Sequence, residues 1–159
     1  MNFEIKRLSE KDSFAVAEIE KQCFSNPWSE ATVSSEIKSR FSDFFGAFSE
    51  EKLVGYIGGR TIAEETEIFN VAVSPEFRRK GIAKSLIEKF VEAVRKKETS
   101  VIFLEVRASN LSAIALYEKS GFVFCGIRKD YYTNPKENAL LMRLAFDGTQ
   151  EYEEWDDDE

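Results

Sequence analysis

The 159-residue chain contains no histidine. Catalysis by a Ser–His or Cys–His pair is therefore excluded, and the absence argues against a zinc enzyme. A general base has to be a carboxylate, a tyrosine, a lysine or bound water. Cysteine is scarce too. Cys23 and Cys125 lie far apart without metal-type spacing, and they read as small buried hydrophobes in a reducing compartment. No metal site is expected. No apolar run approaches the roughly 20 residues that a membrane span needs. The opening MNFEIKRLSEKD carries charge where a secretory signal would be apolar. The expectation is a cytoplasmic protein that does not engage a membrane.

A basic excess is also missing, which argues against direct nucleic-acid binding. The net charge of −7 arises entirely in EYEEWDDDE, residues 151–159; without that stretch acids and bases balance at 22 each. The expected organisation is one domain over 1–148, followed by a disordered acidic tail over 149–159. An acidic lure for a basic partner is the functional alternative for the tail.

Hydrophobic periodicity gives the order of elements. NFEIKRL alternates as a first strand. Ser9 opens a helix to about Phe24, with Val16, Ile19 and Cys23 on one face. Ser29 caps a second short helix with the stripe Val33, Ile37 and Phe41. Residues 43–73 read as an antiparallel meander of three strands, with turns at Glu50–Lys52 and Glu64–Thr66. Glycines 55, 58 and 59 in it imply bends or close backbone contacts. A helix from Ile82 to about Lys97 follows, then the buried strand SVIFLEV. A short helix capped by Asn110 and stopped by Gly121 comes next, then two strands around a turn at Asn134–Glu137. Strand, helix, strand over 66–106 requires a parallel pair inside an otherwise antiparallel sheet. The fold class is α/β (α+β): a mixed, mostly antiparallel sheet of seven strands with about four helices.

The stretch NVAVSPEFRRKGIAKSL, residues 70–86, is the most informative. An apolar strand runs into three cations and a glycine, and a helix starts at once. A helix N-terminus offers unpaired N–H groups and partial positive charge, and glycine lets an anion come close. Arg78, Arg79, Lys80, Gly81, Ile82 and Ala83 therefore read either as a diphosphate cradle or as a solvated basic turn. The Walker and dinucleotide glycine patterns are absent.

What remains, R-x-x-G-x-A after a strand, resembles the acetyl-coenzyme A motif of the GCN5-related N-acetyltransferases. FLEVRASNLSAIALYEKSGF is similar to the second half of the same family core, and NPWSE and IRKDYY resemble its ribosomal-protein-alanine branch. The resemblance covers about residues 3–146. It implies a sheet whose central parallel pair splays at the cofactor. Val71, Ala72 and Val73 would offer backbone groups to the pantetheine arm, as if it were an added strand. Arg79 through Lys84 would hold the pyrophosphate, and Asn110 would contact the cofactor from the next turn. Acetyl-coenzyme A would be the cosubstrate, and the partner would be a protein N-terminus, that of a ribosomal protein.

Glu105 stands inside an apolar strand, where a charged residue is uncommon. It is either ion-paired with Arg107, or exposed, or a general base; the resemblance assigns the base. Tyr117 is either an amphipathic core residue or, as the resemblance implies, the acid that protonates the departing sulfur. The Val73 N–H is a candidate oxyanion donor. Phe24, Pro27, Trp28, Tyr131 and Tyr132 are aromatic or rigid loop residues, which the resemblance places at the acceptor mouth. The expected reaction is direct acetyl transfer to an N-terminal amine in a ternary complex. Transfer to internal lysines or a small amine, and a non-catalytic acyl-coenzyme A-binding module, remain as alternatives.

Overall fold

The computed structural model describes residues 2–146. The expected tail over 149–159 lies outside the described residues.

Seven strands, β1 (Glu4–Arg7), β2 (Ser42–Ser49), β3 (Lys52–Ile62), β4 (Glu65–Val73), β5 (Val101–Arg107), β6 (Val123–Tyr132) and β7 (Glu137–Ala145), form one sheet in the order β1-β2-β3-β4-β5-β7-β6. Every neighbouring pair is antiparallel except β4 with β5. Among the described residues four α-helices accompany the sheet: α1 (Ser13–Cys23), α2 (Glu30–Lys38), α3 (Ile82–Arg95) and α4 (Leu111–Lys119).

Two apolar layers sandwich the sheet. α3 lays Ile82, Leu86, Ile87, Phe90 and Val94 against one face, all essentially free of solvent. Each such side chain contributes about 1.5–3 kcal/mol of burial. The opposite face, over β2 to β4, carries α1 and α2 through Val16, Ile19 and Val33, packed on Phe44, Tyr56 and Ala72. Ser29 caps α2 by accepting the Thr32 N–H at 3.1 Å, and Asn110 caps α4 by accepting the Ala113 N–H at 3.2 Å.

Several boundaries differ from expectation for local reasons. The first helix begins as a 3₁₀ turn at Glu10–Asp12, because Asp12 folds back onto the Ser9 N–H at 2.9 Å. Phe41 does not belong to α2, which ends at Lys38; its ring lies exposed beneath the Arg40 guanidinium. The second meander turn is two residues, Ala63 and Glu64, and Ala63 takes the left-handed conformation at φ 55°.

The crowded glycines prove structural. A Cβ on Gly59 would press into the Glu67 carbonyl oxygen and the Phe90 ring. Here Gly58 faces Asn70 while Gly59 faces Ile68, so Phe69 is the extra residue of a bulge. The bulge turns two successive residues, Phe69 and Asn70, to the α1 side of the sheet. The parallel pairing of β4 with β5 covers only Glu65–Glu67 against Val101–Phe103. Beyond it the two strands part.

Candidate active site

One cavity of about 1070 Å³ occupies the gap where β4 and β5 part. Its walls come from both layers: Cys23 and Trp28 from the α1–α2 side, Ala113 and Tyr117 from α4. The strand register explains what β4 offers to this gap. The Ser74 N–H donates to Val54 O at 2.8 Å, so Val54 and Ser74 form a hydrogen-bonded pair. Gly55–Val73 and Ile57–Val71 are then pairs of the alternate kind, whose main-chain groups turn away from each other. Those of Val71 and Val73 accordingly turn from β3 toward the gap. Ala72 instead bonds toward β3 and buries its side chain beneath α1.

The basic loop sits at the head of α3. Gly81 is the N-cap residue at φ 79°, and no side chain caps the helix. Among the described residues nothing lies within 4 Å of the position a Gly81 Cβ would take. Arg79 is also left-handed, at φ 62°. A chain alternating between right- and left-handed residues turns successive N–H groups to one side, as in anion-binding nests. Arg79, Lys80 and Lys84 are exposed around this turn, while the Ile82 side chain is core, leaving its main-chain N–H as what it presents. Ala83 is half-buried against the core. Arg78 folds back instead: Nε donates to Val73 O at 3.1 Å and Nη2 reaches Cys23 Sγ at 3.5 Å.

Glu105 faces the cavity from β5, because its neighbours Leu104 and Val106 belong to the α3 core. Of the alternatives for Glu105, the ion pair with Arg107 is not the one found. Arg128 Nε lies 2.8 Å from Glu105 Oε1, and interaction with the same carboxylate is the first cause that raises the Tyr131 pKa. Tyr131 and Tyr132 pack edge to face, with centroids 5.1 Å apart. Tyr132 is pushed up to about 12, first by burial and then by the Glu105 charge. Tyr117 is buried against the Phe122 ring at 5.9 Å, and burial raises its hydroxyl well above the ordinary tyrosine range. Asn110 lines the cavity while its side chain caps α4. Phe24 and Trp28 also line it; Pro27 is exposed in the same loop and does not.

Sequence reading gave no site role to Arg128 or Glu20, and it weighed Arg107 only as an ion-pair partner of Glu105. Arg128 and Arg107 sit among loop and strand polar residues with nothing in their spacing to single them out. Glu20 did leave a signal, since it falls on the α1 face of Val16, Ile19 and Cys23. It is fully buried, and among the described residues no salt bridge joins it to a cation. Its carboxylate accepts from the Trp28 N–H at 3.0 Å, the Tyr56 hydroxyl at 3.0 Å and the Asn70 amide at 3.2 and 3.3 Å. Burial raises its pKa, and those hydrogen bonds oppose the shift.

This arrangement, an uncapped cationic helix start beside a gap in a parallel pair, has counterparts among known proteins. The acetyltransferase (GNAT) family profile matches residues 14–122. The chain belongs to that family. It is 35% identical over 142 residues to the [ribosomal protein bS18]-alanine N-acetyltransferase of Escherichia coli K12, covering 88% of this chain and 95% of that one. It is 35% identical over 145 residues to the N-alpha-acetyltransferase RimI of Mycobacterium tuberculosis, covering 87% and 90%. The crystal structure of the Escherichia coli ribosomal-protein-S18-alanine N-acetyltransferase superimposes with a TM-score of 0.85 at 33% identity, over 95% of this chain and 99% of that one. The GNAT fold accounts for the seven-stranded sheet and the parting of β4 from β5. Among the described residues no group of three or more His, Cys, Asp and Glu side chains is placed to hold a metal ion, and no helix is long and apolar enough to cross a membrane.

Proposed function

We propose that this GNAT acetyltransferase uses acetyl-coenzyme A to acetylate the N-terminal amine of a ribosomal protein, alanine being the first residue. The observation that carries the reading is the cavity at the strand gap, whose lining includes both Glu105 and Tyr117. The names of the relatives support the acceptor class.

The chain's own groups suit the cosubstrate. The Arg79–Lys84 turn, with the N–H groups of Gly81, Ile82, Ala83 and Lys84, holds a diphosphate; the main chain of Val71 and Val73 holds an amide-bearing arm laid along β4. Acetyl-coenzyme A supplies an activated acyl group whose thiolate departs when an amine attacks. Glu105 takes the proton that the acceptor nitrogen loses, directly or through water. The Val73 N–H is placed on the gap side of β4 to donate to the carbonyl oxygen as charge develops there. Tyr117 gives its proton to the departing sulfur. Its raised pKa makes it a weaker acid than a free tyrosine, but burial raises a thiol in the same cavity as well. Phe24, Trp28, Tyr131 and Tyr132 wall the acceptor end.

Two features favour direct transfer to an α-amine. Burial raises the Cys23 thiol despite the neighbouring Arg78, so the cavity cysteine is a poor nucleophile and no acetyl-enzyme is needed. An α-amine, with a pKa near 7.8 against about 10.4 for lysine, is neutral a few hundredfold more often at pH 7.

The test incubates the protein and acetyl-coenzyme A with peptides that differ only in a free Ala, Ser or Met start, and with a blocked peptide holding an internal lysine. Mass spectrometry is expected to show acetylation of the free alanine start first. Preferential acetylation of the blocked peptide would overturn the acceptor assignment.

A further inference from the structure

The strand residue two positions after Glu105 does not join the ion pair at the candidate base. Arg107 is instead the hub of a clasp across the mouth of the cavity. Its Nη1 donates to Pro135 O at 2.9 Å, and its Nη2 donates to Thr133 O at 3.0 Å and reaches Ser25 Oγ at 3.3 Å. Its guanidinium covers the Tyr132 ring at 4.4 Å. From the other side Asn26 Nδ2 donates to the same Thr133 carbonyl at 3.0 Å and meets Thr133 Oγ1 at 3.3 Å. The loop after α1 and the turn between β6 and β7, 107 residues apart in sequence, are thus tied together over the acceptor end. Glu137 fixes the far side of the turn. Its carboxylate accepts the Ser109 N–H at 2.7 Å and the Ser109 hydroxyl at 2.9 Å, and these bonds hold its pKa below the ordinary glutamate range.

We infer that Arg107 is a specificity-determining positioning residue: with Asn26 it straps the two acceptor walls together, so that a chain end passes to Glu105 more readily than an internal lysine. This rests on the acceptor reading above. A chain end enters as a single strand between the walls. An internal lysine brings polypeptide leaving on both sides of its side chain, and the joined loops stand in the way of the second strand. The guanidinium fork suits the task, because it donates to several acceptors in fixed directions, which an ammonium does not. The arginine holds backbone carbonyls of the turn, so its effect falls on where Tyr131 and Tyr132 stand.

The experiment measures steady-state kinetics of the full chain with the free-alanine peptide and the blocked lysine peptide, for wild type, Arg107→Gln, Arg107→Lys and Asn26→Ala. In Arg107→Gln the KM for the free-start peptide is expected to rise about tenfold, equivalent to about 1.4 kcal/mol. The KM for acetyl-coenzyme A should stay within about twofold, since neither Arg107 nor Asn26 belongs to the cradle at α3. The preference for the free start over the lysine should narrow by a similar factor. Asn26→Ala, which leaves β5 untouched, should show the same change at smaller size, and Arg107→Lys should restore only part of it. Unchanged acceptor KM and unchanged preference in Asn26→Ala and in whichever arginine variants fold would overturn the inference. So would a loss confined to kcat. A wild-type enzyme that favours the blocked peptide would defeat the α-amine reading instead, and the acceptor KM in the variants would still decide the clasp.

Discussion

Replacing Glu20 by glutamine and by alanine distinguishes a buried carboxylate that is needed for its charge from one needed for its oxygens. Three donors converge on it: the Trp28 N–H, the Tyr56 hydroxyl and the Asn70 amide. Alanine leaves all three without that acceptor at a buried position, each at about 1–3 kcal/mol. Relief of the desolvated charge returns part of this, so the expected net loss is about 3 kcal/mol. For a domain of this size that lowers Tm by roughly 10 °C. Glutamine keeps the volume. Its oxygen accepts from Trp28, its amide donates to the Tyr56 oxygen, and a flipped Asn70 presents its own oxygen to the second amide hydrogen. The expected loss at pH 7 is under about 1 kcal/mol.

The pH dependence gives the sharper test. Burial raises the Glu20 pKa in the folded state above its unfolded value of about 4.3. Between the two values the native state holds the proton that the unfolded chain has released. Stability contributed by this group is therefore present below the unfolded pKa and declines as pH rises through the window to the folded one. Glutamine does not titrate. Urea unfolding of both proteins, followed by circular dichroism from pH 4 to 7, should show the glutamine variant gaining on wild type as pH increases. A difference that stays flat or falls with pH would refute the reasoning, as would glutamine as damaging as alanine.

The fold was legible because its signals were local and mutually consistent. The α3 stripe is a wide apolar face at helical spacing, and the structure buries it. The parallel pair followed from strand, helix, strand. The glycines in the meander announced close contacts, and Gly59 supplies one at the bulge. The bulge itself was not legible, since nothing in EIFNVAV marks Phe69 as the residue that falls out of register. Phe41 was misplaced because its spacing continues the α2 stripe, while Ser39 and Arg40 leave the helix before the stripe can use it.

At the candidate site, resemblance and residue chemistry together singled out groups on long apolar elements that line the cavity, Glu105 above all. They missed what tertiary structure alone brings together. Arg128 lies 23 positions from Glu105 in the chain, yet its Nε is 2.8 Å from the carboxylate. Arg107 was read against the nearest acid in sequence, whereas strand geometry sends it to carbonyls of a distant turn. Such pairings depend on register and loop path, and single-sequence periodicity carries neither.

Gly59→Ala should destabilise the protein by at least about 2 kcal/mol in chemical denaturation, because the clash is with backbone rather than with a yielding side-chain tip; an unaffected midpoint would contradict the bulge. Gly81→Ala meets no atoms but must hold a left-handed residue, so it should lose about 1 kcal/mol of stability and weaken acetyl-coenzyme A binding by calorimetry. Glu105→Gln should lower kcat by about 10²–10⁴ with cofactor affinity unchanged, and full turnover would remove Glu105 from proton transfer. For the proton donor the structure offers three phenols in one cavity, Tyr117, Tyr131 and Tyr132; Tyr131 interacts with Glu105, so the choice tested lies between the other two. Tyr117 is the more deeply buried, and its ring is already packed on Phe122, so Tyr117→Phe removes the hydroxyl without disturbing the core. Tyr132 lies nearer the Glu105 charge and beneath the Arg107 guanidinium, which suits a wall better than an acid. Tyr117→Phe is expected to lower kcat about a hundredfold at unchanged Tm, with Tyr132→Phe acting mainly on acceptor KM. If the kcat loss falls on Tyr132→Phe instead, the departing sulfur takes its proton from the wall of the acceptor site and the assignment of Tyr117 is wrong.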